Sequence, residues 1–161
     1  MRDLTEIGLN YSGQPVTTPP PTSHQIEVVE SLVGVSLPAS YRAFLQFSNG
    51  GHPEFDLYEV DKGTYRYGWT INNFFHMCSD TDTTNDVGDV VWNYHHRFPG
   101  APRELLPVAR DVGGNLFCLD LTQDGKGRVI VQVHDEPGFP YIPLAASFDE
   151  FINGLKTDPE V

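Results

Sequence analysis

Leu105–Leu155, LLPVARDVGGNLFCLDLTQDGKGRVIVQVHDEPGFPYIPLAASFDEFINGL, is the stretch on which the fold turns. Leu105 to Arg110 and Asn115 to Leu121 read as strands joined around Asp111-Val112-Gly113-Gly114. Arg128 to His134 reads as a third strand, reached through Gln123-Asp124-Gly125-Lys126-Gly127. Short apolar runs bounded by Gly-rich turns are hairpin signals. Ser147 follows as a helix cap, with Glu150 at the capping-box position. Phe148, Phe151, Ile152 and Leu155 then supply the apolar face of a terminal helix. Gly113-Gly114-Asn115 delivers the chain into a strand rather than a helix N-terminus, so it reads as a structural turn and not as a phosphate cradle.

Upstream of that sheet the periodicity changes. Thr22-Ser23-His24-Gln25 has capping-box spacing, Ile26, Val29 and Val33 follow at helical intervals, and Gly34 closes the helix. A second helix opens at Leu37-Pro38 and carries Tyr41, Phe44, Leu45 and Ser48 on one face. Asn49-Gly50-Gly51 stops it, with Asn49 expected to tolerate a left-handed cap conformation. From Glu54 to Met77 the pattern is of strands: Phe55 to Val60, then Tyr65, Tyr67 and Trp69, then Ile71 to Met77. Residues 79–86 form a polar loop. Val87, Val90, Val91 and Tyr94 predict a short helix over 86–96, with Asp86 and Asp89 in its first turn. Residues 1–21 read as a polar arm closed by Pro19-Pro20-Pro21, whose expected conformation is polyproline II.

A chain of 161 residues fits one domain with a real core, residues 22–161 in this reading. No stretch approaches the roughly 18 apolar residues of a membrane span, and the N-terminus lacks an apolar leader, so the expectation is a cytoplasmic protein. The formal charge is −12, from 22 acidic against 10 basic residues. Such a field repels nucleic acid and anionic lipid and speeds encounter with basic partners. Half of that net charge falls in residues 54–96, where Glu54, Asp56, Glu59, Asp61, Asp80, Asp82, Asp86 and Asp89 face only Lys62 and Arg66.

Residues of catalytic or metal-binding type form no recognisable motif. Cys78 and Cys118 lack metal-ligand spacing, and Cys118 alternates within a strand pattern as a buried thiol would. Among His76, His95, His96 and His134, the adjacent pair would point about 100° apart on a helix, a poor chelating geometry. Asp80-Thr81-Asp82 and Asp120 to Gly125 each match part of a calcium loop, but the twelfth positions are Val91 and Val131 where a bidentate Glu is needed. His134-Asp135-Glu136 has no nucleophile elbow to accompany it, and Ser40 and Ser48 lie in a helical pattern. The expectation is a chain without catalytic residues, metal or cofactor.

Three blocks in order resemble the SUKH superfamily, which includes bacterial toxin-immunity proteins and fungal regulators of cell-wall synthesis. They are Leu37-Pro38, Tyr41, Phe44-Leu45 and Asn49-Gly50-Gly51; Leu106-Pro107-Val108-Ala109 through Gly113-Gly114-Asn115 to Cys118-Leu119-Asp120; and Gly127 to Val133 with His134-Asp135 and Ser147 to Phe151. The likeness spans about residues 24–156. It implies a single α+β domain with a mostly antiparallel sheet packed by helices. It also implies a non-catalytic immunity protein that neutralises a cognate toxin domain, often a nuclease. The acidic middle of this chain fits a basic toxin. The residues expected to contact it are Glu54, Asp56, Glu59, Asp80, Asp82, Asp86 and Asp89, with Trp92 and Tyr94 as aromatic anchors if exposed and as core if buried. The alternative is a regulatory scaffold like the fungal members, for which the Pro19-Pro20-Pro21 arm would recruit partners.

Overall fold

Local chemistry at the helix ends does what the sequence asks of it. Thr22 Oγ1 accepts from the Gln25 N–H at 3.1 Å and Gln25 Oε1 accepts from the Thr22 N–H at 2.9 Å, starting helix α1, Ser23–Val33. Gly34 ends it at φ 79°, a left-handed cap that only glycine adopts without strain. Helix α2, Ala39–Phe47, follows Pro38 and buries Tyr41, Phe44 and Leu45. Ser147 Oγ accepts from the Glu150 N–H at the start of α4, Phe148–Gly154, while Glu150 reaches back to the N–H of Ala146, one residue before the cap.

The computed structural model describes residues 1–61, 63 and 66–158. Among these, six strands form one antiparallel meander in chain order: β3 Leu57–Asp61, β4 Arg66–Phe74, β5 Leu105–Asp111, β6 Leu116–Asp120, β7 Arg128–Gln132 and β8 Tyr141–Ala145. A separate two-stranded hairpin pairs β1, Asn10–Tyr11, with β2, Gln14–Pro15. The fold class is α+β, a single domain built on one apolar core. In β6, Phe117 and Cys118 point to opposite faces, as neighbours in a strand must, and both are fully buried. The centre of the sheet is therefore covered on both sides. Helix α4 lies over β3, β7 and β8, with Phe151 against Phe117, and α2 packs on α4 through Tyr41–Phe148 and Phe44–Phe148 ring contacts.

Several expectations change in detail. The two strand runs read between Arg66 and Met77 are one strand, β4, which pairs β3 with its first half and β5 with its second. A register shift between Ile71 and Asn73 marks the transition, so the asparagines that weakened the pattern sit at a bulge. Tyr65 lies outside the described residues. Strand β8 had no signal in the reading of the closing stretch; Pro143 lies within it, which an edge strand tolerates because one side of its backbone needs no partner. Asn49 is not left-handed; Gly50 and Gly51 take the positive φ values, 96° and 117°.

The first residues pack against the domain. A 3₁₀ helix, Leu4–Ile7, buries Leu4 and Ile7 in the core. Arg2 then clasps the end of α4: its N–H donates to Asn153 Oδ1 at 2.7 Å, and its guanidinium donates to the carbonyls of Leu155 at 2.7 Å and Ile152 at 3.3 Å. The polyproline run is held too, since Asn49 donates to the Pro19 carbonyl and Gln46 to that of Pro21.

Candidate functional site

Four of the acids expected to contact a partner lie between the end of β4 and the third helix, α3, Val90–His95. That helix is shorter than the sequence suggested. It starts at Val90 because Asp89 is its cap, accepting from the Val91 N–H at 2.8 Å. The other oxygen of Asp89 accepts from the Cys78 N–H at 2.8 Å, and the side chain is only 1% exposed. Burial pushes its carboxyl above the usual range, against the pull of those two backbone donors. Asp89 is thus a buried brace and not a contact residue; its expected place in an outward acidic face is corrected.

Asp80, Asp82 and Asp86 remain exposed on the loop that precedes this cap. Histidines hold the loop at three points. His24 of α1 donates through Nε2 to the Asp80 carbonyl at 2.9 Å, His95 of α3 donates to the Asp82 carbonyl, and His76 Nε2 meets Asp86 Oδ2. Gln25, whose carbonyl closes the α1 capping box, uses its amide to reach the Asp80 carboxylate at 3.1 Å and the Cys78 carbonyl at 3.2 Å. Burial works to raise the Asp86 carboxyl, but bonds from His76 and the Gly88 N–H hold it below the usual range. Ser79 and Thr81 hydroxyls donate inward to the Thr83 carbonyl. At the end of this fixed loop Val87 is 66% exposed beside Asp86.

Among the described residues, neither Asp80 nor Asp82 forms an ion pair, and Asp86 pairs only with His76. The other acids differ. Glu59 pairs with Lys156 at 2.9 Å and with Arg66 at 3.9 Å, and Asp61 pairs with Arg66. Glu54 and Asp56 line a surface hollow with Thr157 and Asp158. The expected partner-binding set is therefore split between the loop and the neighbourhood of residues 156–158. Tyr94 is buried: its hydroxyl donates to the Leu32 and Arg103 carbonyls, and the Arg97 guanidinium lies 3.8 Å from its ring centre. It belongs to the core. Trp92 is half-buried and stacks on His96 at 3.8 Å.

The remaining groups of chemical interest are dispersed. Ser48 is buried and donates to the Gly50 carbonyl, while His134, Asp135 and Glu136 are exposed. Burial, followed by the Asp89, Asp86 and Asp80 charges, pushes the Cys78 thiol up to about 11, so at neutral pH it is protonated and not poised as a nucleophile. The buried Asp120 pairs with the half-exposed Arg128 at 2.9 Å and braces the β6–β7 turn through Thr122. The Cβ of any residue but glycine at Gly125 would lie 2.1 Å from the Asp120 carboxyl carbon. A broad groove of about 700 Å³ beside α1 is lined by Glu27, Glu30 and Arg103. Two of those groups are committed to the fold: Arg103 donates to the Ser31 and Leu32 carbonyls, and Glu30 accepts from the Leu37 N–H. Among the described residues no helix is long and apolar enough to cross a membrane.

His24, Gln25 and Val87 were missed by sequence reasoning. His24 and Asp80 are 56 positions apart, and nothing local marks either as the other's partner. Val87 was read as the first apolar residue of the helix, where the period placed it, and Asp89 as a first-turn acid. An Asp directly before Val90-Val91 is itself a cap signal, and it would have moved the helix start past both.

The same loop falls within the region shared with known proteins. The sequence profile of the SMI1 / KNR4 family (SUKH-1) matches residues 20–154. The SPbeta prophage-derived uncharacterized protein YokK of Bacillus subtilis (strain 168) is 26% identical over 155 residues, covering 86% of this chain and 76% of that protein.

Proposed function

This chain belongs to the SMI1 / KNR4 family (SUKH-1), a membership that supports a toxin-immunity type of role, and from that premise we propose that it binds a basic toxin domain through the loop over residues 79–89. The observation that carries this reading is the set Asp80, Asp82 and Asp86, exposed without Lys or Arg partners on a loop that His24, His76 and His95 already hold in place. Preorganised charge loses little side-chain or loop entropy on binding and steers a basic partner toward one face. Val87 gives that face an apolar contact inside an acidic surround. Binding blocks the toxin without chemistry from this chain, and a nuclease is the toxin class that fits, because its substrate-binding face is basic.

The test is co-expression with toxin domains encoded beside the gene, followed by purification of the complex. Rescue of growth and a stable complex are expected. Asp82→Lys should slow association by about tenfold at low salt, and Val87→Arg should speed dissociation. Both positions are exposed, so thermal unfolding of the free protein should not move by more than about 0.5 kcal/mol. Unchanged binding in both variants would reject the loop as the contact. Failure to rescue growth from every neighbouring toxin domain would reject the immunity reading. The scaffold alternative draws less from the structure, since two of the three carbonyls in Pro19-Pro20-Pro21 are bonded to α2 and to Asn49 behind it.

A further inference from the structure

Behind the acidic loop, three side chains of metal-ligand type converge. His76 and Cys78 lie two residues apart on an extended segment, which sets them on the same side while Met77 between them is buried. The parallel bridge between His76 and Asp89 brings the cap of α3 alongside. One ligand atom from each of His76, Cys78 and Asp89 lies within 4.8 Å of the others. Donors around a tetrahedral zinc, with bonds of about 2.0–2.3 Å, sit about 3.3–3.8 Å apart, so side-chain shifts of about 1 Å close the site. The Cys78 side chain is partly exposed, with its sulfur 3.7 Å from the Asn49 amide, and its rotation would supply part of that shift.

The surroundings fit a metal as well as the donors do. The two oxygens of Asp89 are oriented by the Val91 and Cys78 N–H groups, and each keeps a further lone pair. Asp86 holds Nε2 of His76 and leaves Nδ1 without a bonded partner among the described residues; a carboxylate on one ring nitrogen is the usual support for an imidazole that binds metal through the other. At Gly88 a Cβ would sit 2.8 Å from His76 Cε1, so the missing side chain is what lets the ring occupy this place. A buried carboxylate with no basic side chain bonded to it would also gain a cation to offset its charge.

We propose that His76, Cys78 and Asp89 bind a thiophilic divalent transition metal, zinc by preference, with Asp86 positioning the imidazole and the fourth position left to water. Thiolate, imidazole and carboxylate together favour zinc over magnesium or calcium. The site would tie the end of β4 to the start of α3 and fix the root of the acidic loop.

The experiment is titration of the tag-free protein with Co²⁺ alone, followed by competition with Zn²⁺. One equivalent should bind, giving a thiolate-to-cobalt charge-transfer band that zinc abolishes. Cys118 is fully buried in β6, so the band reports Cys78. Cys78→Ser should remove the band, and Asp86→Asn should weaken zinc binding about 10–100-fold. Circular dichroism and thermal unfolding check that each variant is folded, and Cys78→Ser, at an exposed position, keeps the test valid if Asp89 variants do not fold. Retention of the band in Cys78→Ser, or no saturable one-equivalent binding by the unaltered protein, overturns the assignment. No toxin enters the assay, so its outcome is separate from that of the immunity reading.

Discussion

At the scale of single residues, buried polar groups do much of the specifying. Asn49, 1% exposed, accepts from the Met77 N–H at 2.8 Å and donates to the Met77 carbonyl at 3.0 Å, as a strand neighbour would. Replacing it by Ala strands those backbone groups and frees the Pro19 carbonyl; a loss of about 3 kcal/mol in urea unfolding is expected. Tyr41 is the opposite case. Its ring packs on Phe148, but its hydroxyl is buried with no hydrogen-bond partner among the described residues. Tyr41→Phe should therefore leave stability unchanged or raise it by up to about 1 kcal/mol, read from the same measurement. A clear destabilisation would show that the hydroxyl is bonded in solution.

At the scale of elements, what could be read in advance was what local chemistry determines. The capping box of α1, the Ser147 cap of α4 and the turns of β5–β7 depend on residues within a few positions of one another, and each formed where its sequence placed it, although Glu150 bonds the Ala146 N–H rather than that of Ser147 and so leaves the α4 box open. The failures share a different cause. β8 is short, contains Pro143 and earns its place only by pairing with β7, a partner its own sequence does not announce. The Leu4–Ile7 turn looked like part of a polar arm because two apolar residues three apart are too few to show a period, yet they reach the core. Ile7→Ala should cost about 2–5 kcal/mol, a value for a core position rather than for a tail. A change below about 0.5 kcal/mol would mean that the turn does not dock. For the same reason, removing residues 1–21 tests stability as well as recruitment. The site was half legible: the acids were conspicuous, whereas burial of Asp89 and Tyr94 depends on contacts with Cys78, Leu32 and Arg103 that no local pattern encodes.

Across the whole molecule, the distribution of charge matters more than its total. Pairing of Glu59 and Asp61 with Arg66 and Lys156 quiets one acidic group, and the loop is left as the more open source of field. Association with a basic partner should therefore slow by about tenfold or more between low and physiological salt, measured by stopped flow, while dissociation changes little. A salt-independent association rate would argue against steering. The Arg2 clasp carries a consequence of another kind. Its partners stand 150 and 153 positions along the chain, so this clasp can close only after α4 has been made, even though Ile7 also bonds the Phe55 N–H much nearer in sequence. For an antidote of the proposed kind, a chain cut short before α4 would leave Arg2 without the carbonyls that hold it and the Phe117 side of the sheet without the Phe151 ring that covers it.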